Sequence, residues 1–128
     1  MSTIVKPNRS EVWLVNLDPT LGSEIRKIRP VVVISSDSIG KLPIKLVAPI
    51  TDWKPYFAEN VWHLKLEPDS SNGLAKVSAV DTLQLRGIDT TRFIRQLGKL
   101  NEDIMIEITI AIALVIELNG EDFLDFST

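Results

Sequence analysis

Apolar and polar positions fall into short β-type runs over most of the chain and stretch into a helical pattern only near its end. Glu11-Val12-Trp13-Leu14-Val15-Asn16-Leu17 is rich in β-branched and aromatic residues and stops at the turn signal Asp18-Pro19, which predicts a first strand. The polar, basic segment from Thr20 to Ile28 reads as a loop. Arg29-Pro30 then opens a second strand, Val31 to Ser35, with Pro30 expected at its start or on an edge because it lacks an N–H. Asp37 to Pro43 is a turn region. Ile44 to Thr51 is a third strand in which Pro49 suggests an edge or a bulge.

Asp52 to Asn60 is expected to be a loop carrying Trp53, Tyr56 and Phe57. Val61 to Leu66 alternates, with Trp62, Leu64 and Leu66 on one face and Val61, His63 and Lys65 on the other, expected outer, face. Glu67 to Gly73 is a turn, Lys76 to Arg86 one or two strands, Asp89 to Arg92 a capped helical turn, and Ile94 to Leu100 a short strand.

Asn101, followed by Glu102 and Asp103, is suited to cap a terminal helix. The β-branched run Ile104 to Ile116 also suits a buried strand, but its length and its cap decide for a helix. Ile104, Ile108, Ala111, Ile112 and Val115 form one apolar stripe. The opposite face carries Asp103, Glu107 and Glu117, and also Ile110 and Leu114, a pattern that suggests burial on two sides, as at a subunit interface. Asn119 to Thr128 is an acidic tail. Many short strands with few helices predict a mainly β domain with α, a small, partly open barrel with a C-terminal helix. With 128 residues, a single domain over 1–128 is expected, its core at about 9–118.

Composition narrows the chemistry. Hydrophobic residues make up 45 % and charged residues 24 %, which excludes global disorder. There is no cysteine, so disulfides, thiolate metal sites and cysteine nucleophiles are excluded, and a single histidine, His63, excludes a two-histidine acid–base pair. No metal and no cofactor are expected. The N-terminal residues show no apolar core of signal-peptide length, and Ile104 to Leu118 is too short and too charged to cross a bilayer, so a cytoplasmic address and no membrane partner are expected. Net charge is −3, which by itself argues against nucleic acid. Its distribution changes the picture: residues 1–60 carry 8 Lys/Arg against 6 Asp/Glu, whereas residues 61–128 carry 6 against 11.

The segment Gly22 to Arg29 holds Arg26, Lys27 and Arg29 against the single acid Glu24. Such a cluster suits an anionic group, since arginine matches phosphate bidentately, and it equally suits a solvated surface loop. Thr51, at the end of the third strand, offers a hydroxyl to a phosphate or a ribose, or merely closes the strand. Trp53, Tyr56 and Phe57 suit stacking on unpaired bases as well as packing over the barrel. His63 receives no role.

Together these segments carry more than each does alone. Glu11 to Thr20, Gly22-Ser23-Glu24, Arg29-Pro30-Val31-Val32-Val33-Ile34-Ser35, Ala48-Pro49-Ile50-Thr51, Gln84-Leu85-Arg86-Gly87-Ile88-Asp89, Arg92 and Gly98-Lys99-Leu100 follow one another in an order that resembles the MazF/PemK family of toxin endoribonucleases. The resemblance spans about residues 9–118. It implies an SH3-like barrel, a homodimer, metal-independent cleavage of single-stranded RNA, and a cognate antitoxin whose disordered tail folds over the RNA groove. The MazF branch relies on the arginine of Arg-Pro and the threonine ending the third strand, here Arg29 and Thr51. The PemK branch uses a histidine, an arginine and an aspartate at positions that hold Ser23, Asp81 and Leu83, so the MazF type is implied.

RNA would supply its own nucleophile, the ribose 2′-OH, leaving a 2′,3′-cyclic phosphate and a 5′-OH. Arg29 would neutralise phosphoryl charge, Thr51 would orient the 2′-OH or the phosphate, and Glu24 is a candidate base. Thr20, Gly22, Ser23, Arg26, Lys27, Trp53, Gln84 and Arg86 are the candidate RNA contacts. Two rivals share the fold: a CcdB-type gyrase poison, which ends in an aromatic followed by Gly-Ile where this chain ends Phe126-Ser127-Thr128, and a homologue that binds antitoxin or RNA without cutting.

Overall fold

The structure, a computed structural model, describes residues 5–39 and 42–118; the expected acidic tail and the C-terminal residues that bear on the gyrase rival lie outside the described residues. Among the described residues seven strands, β1 (Glu11–Asn16), β2 (Ile28–Val33), β3 (Ile44–Asp52), β4 (His63–Leu66), β5 (Ser78–Asp81), β6 (Arg86–Asp89) and β7 (Phe93–Lys99), precede one α-helix, α1 (Glu102–Val115). All pairings are antiparallel, in the order β4-β5-β3-β2-β1-β7, with β6 also on β3.

The apolar runs in β2 and β3 are continuous because both of their faces are buried. Val32, Ala48 and Ile50 face a cluster with Val12, Leu66, Val80, Met105 and Ile108, over which α1 packs. Val31, Val33 and Val47 face a second cluster with Val15, Leu17, Ile88 and Phe93. Pro30 is the third residue of β2, opposite Leu14, and not its first, because β1 pairs with β2 as far as Ile28. The lost N–H is tolerated there because the β2–β3 ladder already ends at Val31/Pro49.

Pro49 marks a second interruption, and it is the one that shapes the molecule. On the edge of β3 away from β2, residues 44–47 pair with β6 and residues 50–52 with β5. Val80 sits opposite Ile50 and Arg86 opposite Val47, so six steps of the β5–β6 segment span three steps of β3. The three extra residues are extruded as the 3-10 turn Thr82–Gln84. The interruption suggested by Pro49 is therefore taken up by its neighbour strand.

Asn101 accepts a hydrogen bond from Ile104 N (2.9 Å) and caps α1. Ile108 and Ala111 are buried as expected, but Met105 is buried too, so the stripe is turned toward it. Ile110 and Leu114 lie more than half exposed, beside Ile106. Val61 and Trp62 precede β4, which starts at His63.

The turn after β4 is wired through buried Asn72, which donates to Glu67 O (2.9 Å) and accepts from Asp69 N (3.2 Å) and Leu74 N (3.0 Å). It lies directly on Gly98 of β7: a Cβ there would stand 2.3 Å from Ser71 O and 2.4 Å from Asn72 C. Gly98→Ala is therefore expected to destabilise the fold by about 1–3 kcal/mol, the ordinary cost of overpacking, read as a lower denaturant midpoint at an unchanged slope.

Candidate functional site

The β2–β3 register brings Arg29 and Thr51 to the same end of the sheet. Val31 pairs with Pro49, and two residues further along each antiparallel strand, on the same face, come Arg29 and Thr51. Neither has a partner across that gap in the ladder. Arg29 stays opposite Val15 on β1, and Thr51 stays opposite Ala79 on β5. The sheet thus divides between them, and both side chains are half-buried. Arg29 Nε donates to Arg26 O (3.3 Å), which ties the guanidinium to the preceding loop.

Beside this opening lies a groove of about 650 Å³ lined by Pro19, Thr20, Leu21, Glu24, Ile25, Pro49, Leu83, Gln84, Leu85 and Arg86. Its two walls are the 19–25 loop and the extruded turn. Thr20, Glu24, Gln84 and Arg86, four of the residues singled out in the sequence, line it. Gly22, Ser23, Arg26 and Lys27 are exposed on the loop beyond. Trp53 does not line the groove; it is half-buried, edge-on to Phe57 (5.8 Å between centroids), with the Lys65 ammonium 5.3 Å from its ring centroid.

The loop is held by its backbone. Asp18 Oδ1 accepts from Lys27 N (3.0 Å), Leu17 N donates to Lys27 O (2.9 Å), and Glu24 Oε1 accepts from Leu21 N (2.5 Å). Lys27 (φ 70°) and Gly22 (φ 55°) take the left-handed conformation that the bends require. Across the groove, Gln84 Oε1 accepts from Ile25 N (2.7 Å) while Gln84 Nε2 donates to Asp81 Oδ2 (3.2 Å), so both ends of its amide are engaged within the protein. Arg86 donates to Leu17 O (3.0 Å). Among the described residues the ion pairs are His63–Asp81, Lys65–Glu67 and Lys76–Asp52; Arg26, Lys27 and Arg29 take part in none of them.

His63 is not on an open outer face. Its side chain is 8 % exposed, and its ring stacks on Phe57 at 3.7 Å between centroids and 12° between planes. The 3-10 turn Pro55–Glu59 brings Phe57 over His63, which strand alternation alone does not reveal. Nδ1 lies 3.1 Å from Asn60 Nδ2, and Nε2 lies 3.6 Å from Asp81 Oδ2. Asp81, also 8 % exposed at its side chain, had one visible signal: an acid closing the otherwise small and apolar segment Ser78-Ala79-Val80.

Among the described residues no three His, Asp or Glu side chains are grouped to hold a metal ion, and no helix is long and apolar enough to cross a membrane.

A family described as PemK-like, MazF-like toxin of type II toxin-antitoxin systems matches residues 8–116. The chain belongs to this toxin family. The endoribonuclease MazF of Staphylococcus epidermidis is 36 % identical over 115 residues, 89 % of this chain and 94 % of that protein. The crystal structure of MazF from Deinococcus radiodurans has a TM-score of 0.73 at 21 % identity, covering 88 % of this chain and 97 % of that one. A mycobacterial endoribonuclease in complex with its cognate antitoxin has a TM-score of 0.71 at 16 % identity, covering 89 % and 98 %. The open, seven-stranded sheet with one C-terminal helix is the fold of these MazF structures, as the motif order implied.

Burial lowers the pKa of His63 from its ordinary 6.5, because the charged ring loses hydration, and the Asp81 carboxylate opposes this without cancelling it. A histidine with a depressed folded pKa binds fewer protons folded than unfolded as the medium acidifies. Its contribution to stability is complete above the unfolded pKa and is lost as pH falls through the folded one. The Tm of this MazF-type toxin is thus expected to fall from about pH 7.5 to about 5.5, and His63→Gln to flatten that interval. An equally steep fall in the variant would assign the titration elsewhere.

Proposed function

We propose that this MazF-type toxin is an endoribonuclease that cuts single-stranded RNA, messenger RNA above all, at a short sequence, using the substrate's own 2′-hydroxyl. The observation that carries the reading is the divided sheet, with Arg29 and Thr51 on its two sides and the groove beside it. In-line attack by the 2′-oxygen on the adjacent phosphorus expels the 5′-oxygen and leaves a 2′,3′-cyclic phosphate and a 5′-OH. Negative charge grows on the phosphoryl oxygens as this happens. A fixed guanidinium is suited to meet it, because arginine stays charged and presents paired donors. That is the role of Arg29. Thr51 orients the 2′-OH or the phosphate from the opposite side.

Glu24 is the candidate to receive the 2′-hydroxyl proton, and the Leu21 N–H already fixes one of its oxygens at the groove wall. Thr20, Gly22, Ser23, Arg26, Lys27 and Arg86 contact the RNA from the loop and the groove, and Trp53 from the far end of β3. Gln84 serves from within the wall. The exposed apolar face of α1, Ile106, Ile110 and Leu114, belongs to the homodimer, in which two loops double the local positive charge. The acidic, disordered segment of a cognate antitoxin competes for the same groove.

The test is a long single-stranded RNA incubated with purified protein in EDTA. Discrete cuts bearing 5′-OH ends are expected, and Arg29→Ala or Thr51→Ala should each lower the rate by about 10²–10³-fold at unchanged Tm. Intact RNA combined with inhibited gyrase supercoiling would replace this reading with that of a gyrase poison, and neither effect would leave a binding protein. RNA binding is further expected to weaken as salt rises, despite the negative net charge, in a filter or fluorescence titration.

A further inference from the structure

We propose that Asp81, with His63 behind it, is a positioning residue: it sets the orientation of the Gln84 amide, which latches the loop that leads into Arg29. The inference rests on the nuclease reading for its consequence, though not for its geometry. Asp81 closes β5 and caps the extruded turn, its Oδ1 accepting from Leu83 N (3.0 Å) and its Oδ2 from Gln84 Nε2 (3.2 Å). An ionised carboxylate only accepts. It therefore demands the NH₂ end of Gln84, and the amide oxygen is left pointing across the groove at Ile25 N (2.7 Å). Ile25 precedes Arg26, whose carbonyl receives Arg29 Nε (3.3 Å). The chain of contacts runs from a buried acid through one amide to the guanidinium assigned to the scissile phosphate.

His63 closes the other side of the carboxylate. Its Nε2 faces Oδ2 at 3.6 Å, with Asn60 on Nδ1 and Phe57 on the ring face. Three nitrogen groups, Leu83 N, Gln84 Nε2 and His63 Nε2, thus face the Asp81 carboxylate.

This polarity predicts which isosteres fail and which combination recovers. In Asp81→Asn, the amide oxygen is needed at Leu83 N, so the introduced NH₂ meets the NH₂ of Gln84. Flipping Gln84 to suit the introduced amide would bring its NH₂ against Ile25 N–H. One bond is lost either way. In the double variant Asp81→Asn/Gln84→Glu, the introduced amide donates to one oxygen of the new carboxylate, whose other oxygen accepts from Ile25 N–H, so both bonds return with the polarity of the first reversed.

Amide hydrogen exchange at Ile25, followed by NMR on the full chain, reads the latch directly. Asp81→Asn is expected to speed exchange at Ile25 by about tenfold, the worth of one net hydrogen bond, while the amides of β1 stay protected. For RNA cleavage, kcat/KM is expected to fall by about tenfold or more, because Arg29 and the RNA contacts on the latched loop lose their orientation together. The double variant should recover both readouts. Unchanged Ile25 exchange in Asp81→Asn, or a double variant no better than the single one, overturns the proposal. Should Asp81→Asn fail to fold, recovery of fold and of Ile25 protection in the double variant supports the latch, and failure to recover overturns it. A wild-type protein that leaves RNA intact would defeat the nuclease reading, while Ile25 exchange would still decide the latch.

Discussion

Everything distinctive in this molecule follows from β3 having more neighbours than one strand can serve evenly. It pairs with β2 along one edge and with two successive strands along the other. A residue without an N–H, Pro49, stands where the outer partners change over. The continuous segment that forms β5 and β6 cannot follow β3 through that point and throws three residues outward. The extruded turn becomes one wall of the groove, and Pro49 itself lines it. On the inner edge, the ladder to β2 stops at the same residue, which lets the sheet open between Arg29 and Thr51. A single imino acid in the middle of the sheet thus coincides with both the groove and the cleft next to it.

The strands are largely legible, because their cues are local. Val12 and Val15, the run Val31 to Val33 and the capped start at Asn101 each announce their element within a few residues. What stays hidden depends on contacts between distant segments. Pro30 looks like a strand opener because nothing local shows how far β1 pairs along it. Met105 escapes notice because a one-residue rotation of a helix stripe is decided by the sheet beneath it. His63 looks exposed because alternation assigns a face but cannot say that Pro55–Glu59 brings Phe57 over it.

The site divides along the same line. Arg29, Thr51, Glu24 and the cationic loop can be picked out by residue type and motif order. The partnership of Gln84 with Ile25 N, 59 positions away, cannot, nor can the pairing of Asp81 with His63. Gln84 is visible as a polar residue in a motif, and its role as an internal strut needs the loop's backbone to be seen opposite it. Family membership sharpens this contrast. Motif order identifies the toxin family, whereas the bonds that hold the two walls of its groove together run through Asp81 and Gln84.

The acids of this region are engaged with main-chain groups. Asp18 and Glu24 hold backbone N–H groups, and the loop's three cations form no ion pair among the described residues. The path of the loop consequently does not depend on the side chains of Ser23 and Arg26, whereas Gly22 and Lys27 hold its left-handed bends. Such a scaffold leaves Ser23 and Arg26 open to substitution while the segment keeps its path. Two exposed positions beside the groove can in this way change without the loop being rebuilt.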